Sequence, residues 1–350
     1  MCYTIIDESE VSGMERYILY NADREVAKFH FDGALVTSYI PVVPELLPMQ
    51  IRSATADGFM AWIHDRAIDL NTVLHRNMVN DLLGSRDKTI LALMTHMFSI
   101  SDSFTCFREG EFIPRHSICL PDDQACVAQY ILVSSDTSLR GLKIATPNVS
   151  TDGSFPKTWK YENNEWWLYK IQSAAATRCE VEISRVLQKC GWAAAEYAYD
   201  GRYRKRVKCR NFVGADEFFE PYDSFRFRFD DKSDDDETVL HNLCSLGASF
   251  ETEWKHILLA DAFFLNTDRH MRNFGVIRSS KTGKVLRLAP NFDNNQAYTA
   301  NPGGRYSDSM LKAYLKGSDE QTLNDLRLLI EIAAQNAFLK EAAQAAEKLL

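Results

Sequence analysis

Apolar positions recur with two different periods along this chain. Arg16 to Leu19 and Glu25 to Phe31 alternate as strands do, whereas Asp57 to Ala67 and Thr89 to Phe98 carry apolar residues three and four apart and are predicted helices. The charged, turn-forming run from Asp230 to Glu237 reads as a solvated loop, and beyond it the pattern becomes mainly helical. Trp254, Ile257, Leu258, Phe264 and Leu265 fall at helical spacing, as do Leu326, Leu329, Ile330, Ala333, Ala337 and Phe338 in the tail from Glu320 to Leu350. A strand-rich first part and a helix-rich second part predict an α+β protein of two unequal lobes with a cleft between them.

The sharpest local signal lies where the apolar helix ending near Leu265 gives way to Asn266-Thr267-Asp268-Arg269-His270-Met271-Arg272-Asn273. A strand follows at once, then the turn from Ser279 to Lys284, a second strand from Val285 to Leu288, and Pro290-Asn291-Phe292-Asp293-Asn294. Two antiparallel strands of similar length return the chain to its start, which brings Asp293 back beside the loop from Asp268 to Asn273. Mg²⁺ prefers hard oxygen ligands, takes one or two from the protein and completes its shell with water and phosphate. Asn273 and Asp293 suit that part, leaving Asp268 to accept the proton of an attacking hydroxyl.

Composition narrows the classes. The chain has 350 residues, 45% of them hydrophobic, which is enough for a sizeable core. A net charge of −8 argues against a protein built to hold nucleic acid or an anionic membrane directly. No stretch is apolar enough to span a bilayer and the N-terminus lacks a basic-then-apolar leader, so a cytoplasmic protein is expected. The eight cysteines form no CxxC pair and suit a reducing compartment; the eight histidines include no H-x-x-x-H pair of a metallohydrolase.

An Asp, an Asn five positions later, a hairpin and a further Asp resemble the catalytic and metal loops of protein kinases. Asn-Thr-Asp-Arg-His-x-x-Asn is similar specifically to the bacterial HipA family of serine/threonine kinases. The resemblance covers about Pro147 to Tyr298 and implies a two-lobed protein-kinase-like fold, with a mixed, strand-rich N-lobe and a mainly helical C-lobe. It implies Asp268 as catalytic base, Asn273 and Asp293 as magnesium ligands, and His270 as an organiser of the loop. An ATP-binding half must then lie upstream, with a lysine ending a strand. Trp166-Trp167-Leu168-Tyr169-Lys170 supplies Lys170. On the following helix, Arg178 to Cys190, Glu180 and Glu182 flank the apolar stripe on opposite sides, and periodicity does not choose between them. The family pattern, aligned through Gly191, favours Glu180.

The segment Ser150, Thr151, Asp152, Gly153, Ser154 through Lys157 would be a surface turn on its own, for it lacks both common nucleotide-loop motifs. It resembles the family's phosphate loop, S-x-x-G-x-x-x-K, with Ser150, Gly153 and Lys157 in the matching places. That likeness makes Ser150, then Ser154, the candidates for autophosphorylation, which would put about −1.5 to −2 charges where ATP phosphates sit. Lys208, Arg210 and Phe212 are placed at the adenine hinge by position. One departure stands out: Asp261 lies on the apolar face of the helix before the catalytic loop, where the family has an amide, and a buried acid needs a partner.

These expectations divide the chain into 1–110, an N-terminal subdomain; 111–212, the ATP-binding core; and 213–350, the helical lobe with the catalytic and metal loops. The implied cofactors are ATP and Mg²⁺. The implied partners are an unidentified protein substrate and, by family, a small DNA-binding antitoxin. Two other readings share the residues: a lipid or inositide kinase, and a pseudokinase or nucleotide-binding scaffold.

Overall fold

The computed structural model describes residues 14–67, 87–118, 155–201, 203–230, 233, 235–247, 250–297 and 306–350. The chain forms two compact units, the first comprising Met1–Ile171 with Val213–Phe219 and Arg278–Lys284, the second Gln172–Phe212, Glu220–Ile277 and Val285–Leu350.

In the first unit β1 (Glu15–Asn21) and β2 (Arg24–Phe31) pair antiparallel, with Tyr17 opposite Phe29 and Leu19 opposite Ala27. Ala22 and Asp23 turn the hairpin in left-handed conformation, the geometry that matches strand twist in a two-residue turn. β3 (Val36–Pro41) extends the sheet on one side. Next come α1 (Ala56–Arg66), α2 (Lys88–Met94) and β4 (Phe104–Arg108), which completes the order β3-β2-β1-β4. Thr55 caps α1 by accepting the Gly58 N–H. The helix buries Phe59, Trp62 and Ile63 in the cluster that holds Phe29 and Phe104. Each such side chain contributes roughly 1.5–3 kcal/mol by leaving water.

The sequence predicts one helix through Phe98, but α2 stops at Met94. His96 and Met97 are left-handed, and the His96 carbonyl accepts the Cys106 N–H in the middle of β4. Pairing with the sheet overrides the helical period here. β5 (Lys157–Glu162) and β6 (Glu165–Ile171) form a second hairpin in which Lys157 stands opposite Lys170. Buried Arg278 closes this unit by donating to the carbonyls of Leu47 (3.0 Å), Glu45 (2.9 Å) and Gly283 (3.0 Å), with its guanidinium over the Phe218 ring.

The second unit opens with α3 (Ala174–Lys189), whose Ser173 cap accepts the Ala176 N–H. It starts four residues before the predicted Arg178, because Ala174-Ala175-Ala176-Thr177 favours helix without showing an apolar stripe. β7 (Tyr197–Asp200) and β8 (Tyr203–Arg210) form a hairpin, and β9 (Glu217–Pro221), whose first three residues belong to the first unit, follows. Then come α4 (Asp236–Cys244), α5 (Glu251–Phe264), β10 (Gly275–Ser279) and β11 (Val285–Leu288), with strand order β11-β10-β9. α6 (Ser309–Tyr314), α7 (Glu320–Ala334) and α8 (Lys340–Glu347) end the chain. Ile183, Leu187, Phe263, Leu326 and Ala342 share one core, so α3, α5, α7 and α8 pack together and fix the end of α5. Mixed antiparallel sheets and helices make the fold α+β. Among the described residues no helix is long and apolar enough to cross a membrane.

Candidate active site

α5 ends abruptly. Leu265 takes the left-handed conformation (φ 55°) and returns its N–H to the Asp261 carbonyl, which turns Asn266 and the following loop out of the helix. Asp268 is exposed, while Asn273 is buried. Within the loop, the His270 N–H donates to the Asp268 carbonyl (2.9 Å) and the Asn273 N–H to the His270 carbonyl (2.8 Å). Asn273 Nδ2 donates to the Asp268 carbonyl at 3.2 Å, so the amide oxygen is the group left to act as a ligand. The His270 ring is exposed, and its Nδ1 accepts the Arg272 N–H at 3.3 Å.

Arg269 holds the loop in place. Its side chain, only 8% exposed, donates to both carboxylate oxygens of Asp261, at 2.8 and 2.9 Å. The same guanidinium donates to the carbonyls of Asn273 (3.0 Å) and Phe292 (2.6 Å), and to the side chains of Asn294 (3.0 Å) and Asn291 (3.3 Å). Asn266 adds a third bond to Asp261 at 2.9 Å. The acid on the apolar face of α5 thus has its partner. Burial opposes the Arg269 charge, but Asp261 outweighs it and leaves the guanidinium pKa above its ordinary value. One planar fork therefore joins α5, the loop 266–273 and the segment 291–294.

The strands β10 and β11 return the chain as their lengths require, with the Ala289 N–H donating to the Gly275 carbonyl. Asp293 follows in left-handed conformation (φ 59°), which Asp tolerates better than most residues. Its N–H donates to the Tyr197 hydroxyl at 3.1 Å, and its Oδ1 accepts from Asn295 Nδ2 at 3.0 Å. Tyr197 is buried. Desolvation raises its pKa far above the ordinary value, and the nearby Cys209, Glu180 and Asp293 add to the rise. Tyr197 thus lies in the field of two of the predicted site acids.

Glu180 is fully buried on α3 and accepts from Gln172 Nε2 at 2.6 Å. Glu182 instead takes part in a network with Tyr199, Asn336 and Arg185. The structure separates these two acids where helical period could not. Lys208 lies half-buried on β8, and Arg210 pairs with Glu196 at 3.4 Å. The Phe212 ring packs on Phe292, next to Asp293. Lys170 is buried at the end of β6 in the first unit, on the same face of the hairpin as Lys157. Ser150, Thr151, Asp152, Gly153 and Ser154 lie outside the described residues.

The second unit brings Asp268, His270, Asn273 and Asp293 into one bonded framework and sets Glu180 near it through Tyr197. Sequence reasoning missed Tyr197, Gln172, Asn294 and Asn295, and gave Arg269 no role beyond its place in the motif. Among the described residues no cluster of three or more His, Cys, Asp or Glu could serve as a metal cage. Asn273 and Asp293 instead offer one amide and one carboxylate oxygen, a donor set that fits Mg²⁺ whose remaining ligands are water and nucleotide phosphate.

No protein-family model matches the chain, and no curated protein matches it significantly. Among solved structures it is similar to HipA of the Shewanella oneidensis MR-1 toxin–antitoxin system, solved with HipB and operator DNA. The TM-score is 0.56 at 13% identity, covering 97% of this chain and 91% of that one. It is also similar to the Helicobacter pylori proinflammatory kinase CtkA, with a TM-score of 0.40 at 16% identity over 54% of this chain and 86% of that one. The chain has a HipA-like α+β fold.

Proposed function

We propose that this protein is a HipA-like kinase that transfers the γ-phosphoryl group of ATP, with Mg²⁺, to a serine or threonine hydroxyl of a protein. The observation that carries the reading is the Arg269 fork, which binds the loop bearing Asp268 and Asn273 to the segment bearing Asp293. A carboxylate, an amide and a second carboxylate held in this relation suit a base placed beside a metal-bound phosphate. The HipA-like fold supports the same reading.

Exposed Asp268 takes the hydroxyl proton as the acceptor oxygen bonds to the γ-phosphorus. The bond from that phosphorus to the β–γ bridging oxygen breaks, and its electron pair leaves with ADP. Asn273 and Asp293 would hold the magnesium ion, which when bound neutralises charge on the phosphates. Lys157 and Lys170, cations on one face of a hairpin, suit nucleotide phosphates.

The test is to incubate the full chain with Mg·ATP beside Asp268→Asn and to follow ADP formation and intact mass. The variant is expected to keep nucleotide binding and lose ~10²–10⁴-fold in rate. Phosphate on Ser150 or Ser154 of the wild type would support self-modification of the phosphate loop. Equal turnover in both proteins would reject the assignment of the base. By likeness to HipA, which is bound to HipB in the Shewanella structure, the proposed partner is a small DNA-binding antitoxin. Co-elution of a candidate small protein in size exclusion would support that, and separate peaks would reject it.

A further inference from the structure

A groove of about 1120 Å³ opens in the second unit against the outer side of the catalytic loop. Thr267 and His270, which bracket Asp268 in the chain, form one end of it. Its floor is apolar, made by Trp254 and Leu258 of α5, Phe274, and Met310 and Tyr314 of α6. The volume exceeds the ~300–1,000 Å³ of small-molecule clefts. Asp268 itself does not line the groove, but Thr267, Arg269 and His270 around it do, so a segment that presents a hydroxyl to Asp268 is within reach of it.

The charges on the walls specify what those groups should be. Arg269 is taken up by Asp261 and Arg226 pairs with Asp223 at 3.3 Å, while Arg272, the third cation on the lining, is also engaged rather than free. Asp236, at the start of α4, also lines the groove, and among the described residues no cation pairs with it. Partial burial, then Asp235 and Asp261, raise its pKa, so the carboxylate sits in a negative field that an incoming cation would relieve.

We propose that this groove seats an extended polypeptide segment of the substrate, with its acceptor serine or threonine at Asp268, an apolar side chain on the Trp254–Met310 floor, and a lysine or arginine paired with Asp236. The substrate class is a basic, serine- or threonine-containing segment of a protein. The inference rests on the kinase reading for the acceptor's role, while the seat itself is independent of turnover.

The experiment is fluorescence anisotropy with two series of labelled decapeptides, each peptide with a central serine and apolar neighbours. Arginine or glutamate is placed at scanned positions, and the full chain is used without nucleotide. The arginine peptides are expected to bind about tenfold more tightly than the glutamate peptides. Asp236→Lys should abolish or invert that preference, and Ala313→Trp, which narrows the groove, should weaken both. Both variants should retain the wild-type melting temperature and affinity for Mg·ATP. Equal affinity for the two series, or an arginine preference that survives Asp236→Lys, overturns the proposal. Charge-dependent binding in a protein with no Asp268-dependent ADP formation would keep the seat and reject the kinase reading.

Discussion

Asp261 and Arg269 form a buried ion pair whose value is conditional. Removing charge from water is costly, and the return depends on how fully the groups are bonded. Here the carboxylate accepts from Arg269 twice and from Asn266, and the guanidinium reaches four further acceptors. Breaking the pair from one side leaves a buried charge uncompensated. Asp261→Asn is accordingly expected to lower stability by about 3–5 kcal/mol in denaturant titration. Arg269→Lys is expected to fall in the same direction, because an ammonium cannot reproduce the fork. A loss under 1 kcal/mol in both would mean that the loop is held by its backbone bonds alone. The motif residues could be read from sequence because their spacing is local. The fork could not, because its acceptors Asn291 and Asn294 lie 22 and 25 residues away and include groups with no periodic signature.

β9 and β10 meet at Gly275, immediately after the loop 266–273. A Cβ there would fall 2.2 Å from the Glu220 carbonyl oxygen and 2.7 Å from the Pro221 Cα, both backbone atoms that cannot swing aside. Gly275→Ala should therefore move the strand, lowering the melting temperature and weakening Mg·ATP binding together. Calorimetry and nucleotide titration on one sample would check it; an unchanged melting temperature would show that the strands can part without cost. The glycine was visible in the sequence, but nothing local told a close strand crossing from an ordinary turn. The α3 and α5 helices were legible because their apolar stripes are wide. The start of α3 was not, nor the end of α2, where alanines carry no stripe and sheet pairing overrides helical spacing.

At the scale of the whole molecule, each unit holds a histidine whose pKa burial lowers. Burial lowers the pKa of His96 in the first unit, against the opposing bond to the Cys106 carbonyl. Burial also lowers that of His256, which stacks on Trp192, although Asp325 opposes the shift. In both cases the folded state binds protons less readily than the unfolded chain, whose histidines titrate near pH ~6.5. Stability is therefore complete above that value and declines as pH falls through it. The melting midpoint should be lower at pH 5.5 than at pH 7.5, and His96→Gln with His256→Gln should flatten the difference. A slope untouched by both substitutions would locate the acid sensitivity elsewhere. The α+β class was legible from the change of period near residue 230; the division into units was not, because each is assembled from separated stretches of chain. That discontinuity governs the birth of the protein. Arg278 is bonded to Leu47, a partner synthesised 231 residues earlier. At about 5–20 residues per second, a ribosome makes Leu47 wait roughly ten to fifty seconds for the side chain that binds its carbonyl. From the completion of β4 until then the nascent chain has a sheet to shelter, and Asp293 is still unmade.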